Sequence, residues 1–424
     1  MANVGPALQR VINLHPDLHQ ITAFHYAARR GCQWIITELL LDRSKVYLKD
    51  EQGRTALHYA ARYGQFGIVQ LLLDNGADIT IVDNNGMTVL HEAAENGHMN
   101  VVELLLMTGC QVDPATDIRK SPSGKTPLFL AASHGHGHIV RKLLECGAIV
   151  DTTNYRRLFS ILHCITKKGY PGIIEIILQY GANVNVQSRN GLTPLHLAAL
   201  GGKVHVIDVL WRNGAILDFV DVNGRNALHY AITSNHLEAV IKLLECQAVI
   251  DFPTREQMTG LHLAAKSGNR EIAEELLRRG ASIDPRSETG DTPLNVVVLY
   301  QHIDVVRQLL ICGAAVDSPN NLGNTALHLA TKTANVEIIN ELLKFYANIN
   351  FKCNNGNSAL HYAAEIGSNV IVNLLMNSGA NVEALNNENK KASNIAEENN
   401  HMEVVADLMA RETAIFYQRR RLFL

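Results

Sequence analysis

A block of 33 residues returning at constant spacing limits what this chain can fold into more than any other feature. One copy, Gly53 to Asp83, reads GRTALHYAARYGQFGIVQLLLDNGADITIVD. Thr55 is placed to cap a short helix, its hydroxyl accepting from an unpaired amide of the first turn. Leu57, His58 and the pair Ala60-Ala61 follow, and Gly64 breaks the helix. A second helix carries Ile68, Val69, Leu71, Leu72 and Leu73, and Gly76 supplies the left-handed residue that ends it. The tail Ala77-Asp78-Ile79 runs extended into Asp83, 33 residues after Asp50. Two short helices hide one face against each other and leave a second apolar face open, and helices of this length are marginal alone in water. Only a neighbouring copy can cover that face, so the spacing predicts a stack.

Twelve copies are expected after a short cap at 1–16, in which Leu8, Val11 and Ile12 are spaced to cover the first. They run 17–49, 50–82, 83–115, 121–153, 154–187, 188–220, 221–253, 254–286, 287–319, 320–352, 353–385 and 386–410, leaving 411–424 as a tail or capping helix. An insertion, Thr116 to Lys120, precedes the fourth copy. The fifth is irregular, with Leu158 where glycine is usual and Tyr170-Pro171-Gly172 opening its second helix. The last copy has Ser393-Asn394 in place of Leu-His, and its polar run Asn386 to Lys391 suits a wet terminal face.

The pattern TPLHLAA…G…VV..LL..GA.VN closely resembles the ankyrin repeat from residue 17 to about 410. In Thr126-Pro127, Thr193-Pro194 and Thr292-Pro293 threonine caps, and proline takes the first helical position, where its missing amide costs little. The resemblance implies an all-α fold: an ankyrin-repeat solenoid of stacked, right-handed, L-shaped helix-turn-helix units, elongated and curved, with hairpin-like turns projecting to one side.

Composition excludes several classes. The chain is 47% apolar and 19% charged with no low-complexity tract, so disorder is not expected. The start, MANVGPALQRVINLHPD, has no cationic segment followed by an apolar core and cleavage site, so no signal peptide is expected. Apolar runs such as Leu104-Leu105-Leu106 fall far short of the ~20 residues of a membrane helix. Of seven cysteines none forms a CxxC pair, and Cys146, Cys246 and Cys312 share one place in three copies. They read as small apolar residues in a reducing compartment, the cytoplasm or the nucleus.

Nineteen histidines invite a metal or catalytic reading. His25, His58, His91, His163, His196, His229, His262, His328 and His361 occupy one repeat position, and in ankyrin-like repeats that imidazole ties the turns of neighbouring units. His98, His136, His236, His302 and His401 share a second position beside the inter-helix turn. Both sets are expected to be structural. His134-Gly135-His136-Gly137-His138 has too few ligands nearby for zinc, so no metal is expected. No phosphate loop or nucleophile motif is present, so no cofactor and no enzymatic activity are expected.

Function must then lie in what varies. The resemblance implies a concave face built from residues flanking the turn glycine and from the end of each first helix. Across eleven copies those positions hold Arg29, Arg30, Lys49, Arg54, Arg62, Lys125, Arg156, Arg157, Lys167, Lys168, Arg189, Arg225, Arg255, Lys266, Arg286, Lys332 and Lys352. Against these stand only Glu51, Glu95, Glu256, Glu288, Asp291 and Glu365. The net charge of −3 conceals this segregation. A face of one sign speeds capture of an opposite partner. Tyr63, Phe159, Leu299, Tyr300 and Ile366 add apolar anchors. The expected partner is an acidic, extended protein segment. Nucleic acid is not expected, with aromatics at only 6%.

The closing ARETAIFYQRRRLFL is expected to cap the last copy, although RRLFL is similar to the RxLF-type docking peptides accepted by cyclin grooves. NHMEVVADLMARETAIFYQ resembles the end of the array in ankyrin-repeat proteins that continue into a death domain, and no death-domain activity is carried over. The leading expectation is a monomeric, non-catalytic scaffold or adaptor. A ubiquitin-ligase substrate receptor and a membrane–cytoskeleton linker are the alternatives; no ligase-recruiting box, second binding module or lipid anchor is visible.

Overall fold

The computed structural model describes residues 23–113, 125–150 and 159–422, with side chains to residue 418. The expected cap at 1–16, the insertion at 116–120, Leu158 and the side chains of RRLFL lie outside the described residues. Among the described residues there are 24 α-helices and no strand. Contacts divide the chain into two compact units, Met1–Ala198 with His205–Ile216, and Ala199–Val204 with Leu217–Leu424.

The first unit is built from helix pairs. They are α1 (Ala23–Arg30) with α2 (Gln33–Leu39), α3 (Ala56–Arg62) with α4 (Phe66–Asp74), and α5 (Val89–Glu95) with α6 (Met99–Met107). Then come α7 (Pro127–Ser133) with α8 (Gly137–Glu145) and α9 (Ile161–Lys168) with α10 (Pro171–Gln179). A 3-10 turn, Arg43–Tyr47, follows α2. Helices α11 (Pro194–Leu200) and α12 (Val204–Arg212) are shared between the units. The second unit pairs α13 (Ala227–Thr233) with α14 (Leu237–Glu245), α15 (Gly260–Ser267) with α16 (Arg270–Arg278), and α17 (Pro293–Leu299) with α18 (Ile303–Ile311). It continues with α19 (Ala326–Lys332) and α20 (Val336–Lys344), α21 (Ala359–Ile366) and α22 (Asn369–Asn377), and α23 (Ala392–Glu398) and α24 (Met402–Leu422).

Within a unit, first helices stack on first helices and second on second. Thus α3 lies between α1 and α5, and α15 between α13 and α17. The short first helices are nearly wholly buried: Leu57, Ala60 and Ala61 in α3 are as deeply buried as Leu261, Ala264 and Ala265 in α15. Second helices bury one stripe, such as Ile68, Val69 and Leu72, or Ile272, Ala273 and Leu276. Each large aliphatic side chain in such a stripe contributes about 1.5–3 kcal/mol.

The turns are locked by short-range bonds. Asp50 Oδ1 accepts from the amides of Gln52 (2.9 Å) and Arg54 (2.8 Å), and Asp221 Oδ1 does the same for Asn223 and Arg225 (both 2.8 Å). Gly53 closes the turn at φ +76°, and a Cβ there would meet Asn84 Oδ1 at 2.6 Å. The next turn stacks on it: Asn84 N donates to Gln52 O (2.8 Å) and Asn84 Nδ2 to Glu51 O (2.8 Å). A second inter-copy link recurs 31 residues apart in the second unit. Asp251 accepts from Ser282 N (3.1 Å), Asp284 from Ala315 N (3.0 Å), Asp317 from Asn348 N (2.9 Å) and Asn350 from Asn381 N (2.8 Å).

Helix α24 lies against α22 and α23. Glu412 accepts from Lys391 Nζ (2.9 Å) and Ser393 Oγ (2.8 Å), which fastens α24 to the start of α23. Beyond it Ile415 is half-buried and Phe416 and Tyr417 are exposed.

Candidate partner-binding surface

The first-position histidines work as a two-sided tie. Thr55 N donates to His58 Nδ1 (3.2 Å), so Nδ1 carries no proton and Nε2 donates to Met87 O in the following copy (3.2 Å). His91 reaches Lys125 O (3.0 Å), His163 Leu192 O (2.9 Å), His262 Asp291 O (2.9 Å) and His361 Lys390 O (3.2 Å). His25 reaches Leu48 O, His229 reaches Phe252 O, and His328 reaches both Phe351 O and Asn357 O. His196 Nδ1 accepts from Thr193 N at 3.0 Å. Burial pushes the imidazoles of His58, His91 and His328 down to about 4. They are neutral linkers, poorly suited to exchange protons with a substrate.

The second set ties the inter-helix turns. His98 Nε2 donates to Arg62 O (2.9 Å), His136 to Glu95 O (3.0 Å), His236 to Leu200 O (3.1 Å), His302 to Lys266 O (3.2 Å) and His401 to Glu365 O (3.1 Å). In the His134–His138 segment, His134 Nδ1 is engaged by Leu130 O at 2.9 Å. Among the described residues no group of three or more His, Cys, Asp or Glu converges on a metal position.

Arg156 and Arg157 lie outside the described residues; the remaining surface candidates fall into separate groups. In the first unit, Arg29 lies 4.9 Å over the ring of Tyr63, and Arg30 Nε donates to Tyr26 Oη (3.2 Å). Arg54 and Arg62 are not a bare cationic pair. Arg54 Nε stands 3.4 Å from Asp83 and 3.7 Å from Glu92, and Arg62 stands 3.5 Å from Glu92. Glu92 is 1% exposed. Burial pushes its carboxyl up, and the two arginines pull it back. The charge of these arginines is therefore partly spent inside the fold. Glu92 stands where other copies have Tyr59, Leu197 or Tyr362, and that departure was the available signal.

Lys125, Lys167 and Lys168 differ. Lys167 and Lys168 end α9 exposed, the half-buried Lys125 precedes α7, and none forms an ion pair among the described residues. All three lie close enough to Cys164 to oppose, through their charge, the upward push of burial on its thiol. Phe159 packs its ring 4.8 Å from that of His163, at the start of α9. The three ammonium groups thus all act on the one thiol of Cys164.

In the second unit Arg225, Lys266 and Tyr300 share one cleft of about 380 Å³. Lys266 Nζ lies 5.3 Å above the Tyr300 ring. Arg255 and the buried Met258, both on the turn before α15, complete it. Leu299, 40% exposed, ends α17 just before Tyr300. Lys332 lies apart from the cleft, its Nζ 4.1 Å over the ring of Tyr362.

Against this geometry, a family model of ankyrin repeats in three copies matches residues 2–83, 67–154, 162–256, 261–353 and 345–418. The chain belongs to the ankyrin-repeat family. No curated protein matches it. Ankyrin repeats mediate protein–protein interaction and are typically non-catalytic. Among the described residues of this ankyrin-repeat chain no helix is long and apolar enough to cross a membrane. The ankyrin turns and first-helix ends carry both cationic groups, and they are the parts of the repeat that vary while the stacking residues recur.

Proposed function

We propose that this chain is a non-catalytic scaffold or adaptor that captures proteins through acidic, extended segments laid on the turn-and-helix-end surface of its repeats. The observation that carries this reading is the cluster of Lys125, Lys167 and Lys168, three ammonium groups without an ion-pair partner among the described residues. Where an earlier repeat spends Arg54 and Arg62 on internal carboxylates, these later repeats keep their cations for an outside charge. Binding would draw on a pre-organised surface, so little ordering is lost in the repeats themselves. It acts as a monomer in a reducing compartment, the cytoplasm or nucleus.

The test is affinity capture with the whole chain, followed by association kinetics on each captured partner across a salt series. Lys167→Glu with Lys168→Glu should slow association and flatten its salt dependence. Unchanged rates for every partner would remove the basis of the reading.

A further inference from the structure

The cleft of the second unit goes beyond a general preference for acidity. Its volume, about 380 Å³, lies within the range of ~300–1,000 Å³ common to small ligand pockets. Its charged lining is Arg225, Arg255 and Lys266 against one carboxylate, Glu256. A glutamate or aspartate side chain would bring a single negative charge and two acceptor oxygens to that lining. A phosphoryl ester carries about −1.5 to −2 at neutral pH and three acceptor oxygens, and guanidinium groups meet it through paired N–H donors.

Two further features fit that ligand. Lys266 is steadied over the Tyr300 ring, so its ammonium is positioned before anything binds. Thr254 Oγ1 accepts from Met258 N (3.2 Å), which leaves the hydroxyl proton to donate. The buried Met258 and Leu263 give the same cleft an apolar floor, suited to the side chain next to the modified one.

We infer that this cleft binds a phosphorylated serine or threonine of an extended peptide, with an apolar neighbouring residue on the Met258–Leu263 floor. The inference rests on the reading of the repeats as a capture surface for acidic segments and names the anchor of that capture in the second unit.

Fluorescence polarisation with the whole chain and labelled degenerate peptide pools tests it. The pools fix phosphoserine, serine or aspartate at the centre and leucine beside it. The phosphoserine pool should bind roughly tenfold more tightly than either of the others, a difference of about 1.4 kcal/mol. Arg255→Glu or Lys266→Glu, both at exposed positions, should abolish that preference. Lys344→Glu, outside the cleft, should keep it. Equal binding of the phosphoserine and serine pools, or a preference that survives Lys266→Glu, overturns the inference. Equal binding of the phosphoserine and aspartate pools also overturns it, while leaving the acidic-segment reading standing. The broader reading falls separately, if the Lys167 and Lys168 reversals leave captured partners unaffected.

Discussion

Glu92 decides how much of the basic character of the first unit is available. Its carboxylate is buried with one oxygen lacking any hydrogen bond, and among the described residues only Arg54 and Arg62 offset its charge. Arg54→Ala with Arg62→Ala should therefore destabilise the chain by about 2–3 kcal/mol, somewhat below a fully buried pair because both arginines are partly exposed. Adding Glu92→Leu, the residue type of other copies at that position, should restore most of the loss in urea unfolding. Asn295 gives the opposite lesson. It replaces the histidine in the ninth copy, its Nδ2 donates to Ser318 O (3.3 Å), and its buried Oδ1 has no hydrogen-bond partner. Asn295→His should regain the bond to Thr292 N and raise stability by about 1 kcal/mol, read as a higher midpoint of thermal unfolding. The role of a histidine at that position was legible in the sequence because nine copies repeat it. The pairing of Arg54 and Arg62 was not, because it needs the depth of Glu92, which a count of surface positions leaves out.

At the scale of the element, the turns separate two demands on glycine. Gly97 and Gly109 adopt nearly the same φ, +81° and +83°. A Cβ on Gly97 would fall 2.5 Å from the ring of His136, whose Nε2 is already tied to Glu95 O, whereas a Cβ on Gly109 would meet nothing within 4 Å. Gly109→Ala should cost about 1 kcal/mol, the penalty of a left-handed backbone alone. Gly97→Ala should cost at least about 2 kcal/mol, since the ring must also move; equal losses in denaturant titrations would refute the distinction. Helix pairs, their caps and their breakers were legible because proline, threonine and glycine sit at fixed offsets. The cleft was legible only in part. Arg225, Lys266 and Tyr300 were separate candidates 75 residues apart at the extremes, and stacking of three turns is what gathers them with Met258.

For the whole molecule, the neutral histidines set the response to acid. Burial holds the imidazoles of His58, His91 and His328 near 4, and those of His25, His163, His262 and His361 below their ordinary 6.5. Between 6.5 and about 4 the unfolded chain takes up protons that the folded chain refuses, so stability is full above pH 6.5 and lost as pH falls. Each of the three most depressed residues removes about 3 kcal/mol by pH 4. Urea midpoints should thus fall steeply from pH 6.5 to pH 4.5, and His58→Asn should shallow that slope; a flat profile would contradict the neutral-linker geometry.

The links that leave a copy, from Asp251 to Ser282 and from Asp284 to Ala315, end on corresponding atoms of the next. A gene that gains or loses one such segment therefore encodes ends that already suit one another. Reach along a ligand can change by inheritance of whole segments, without any new interior having to be invented.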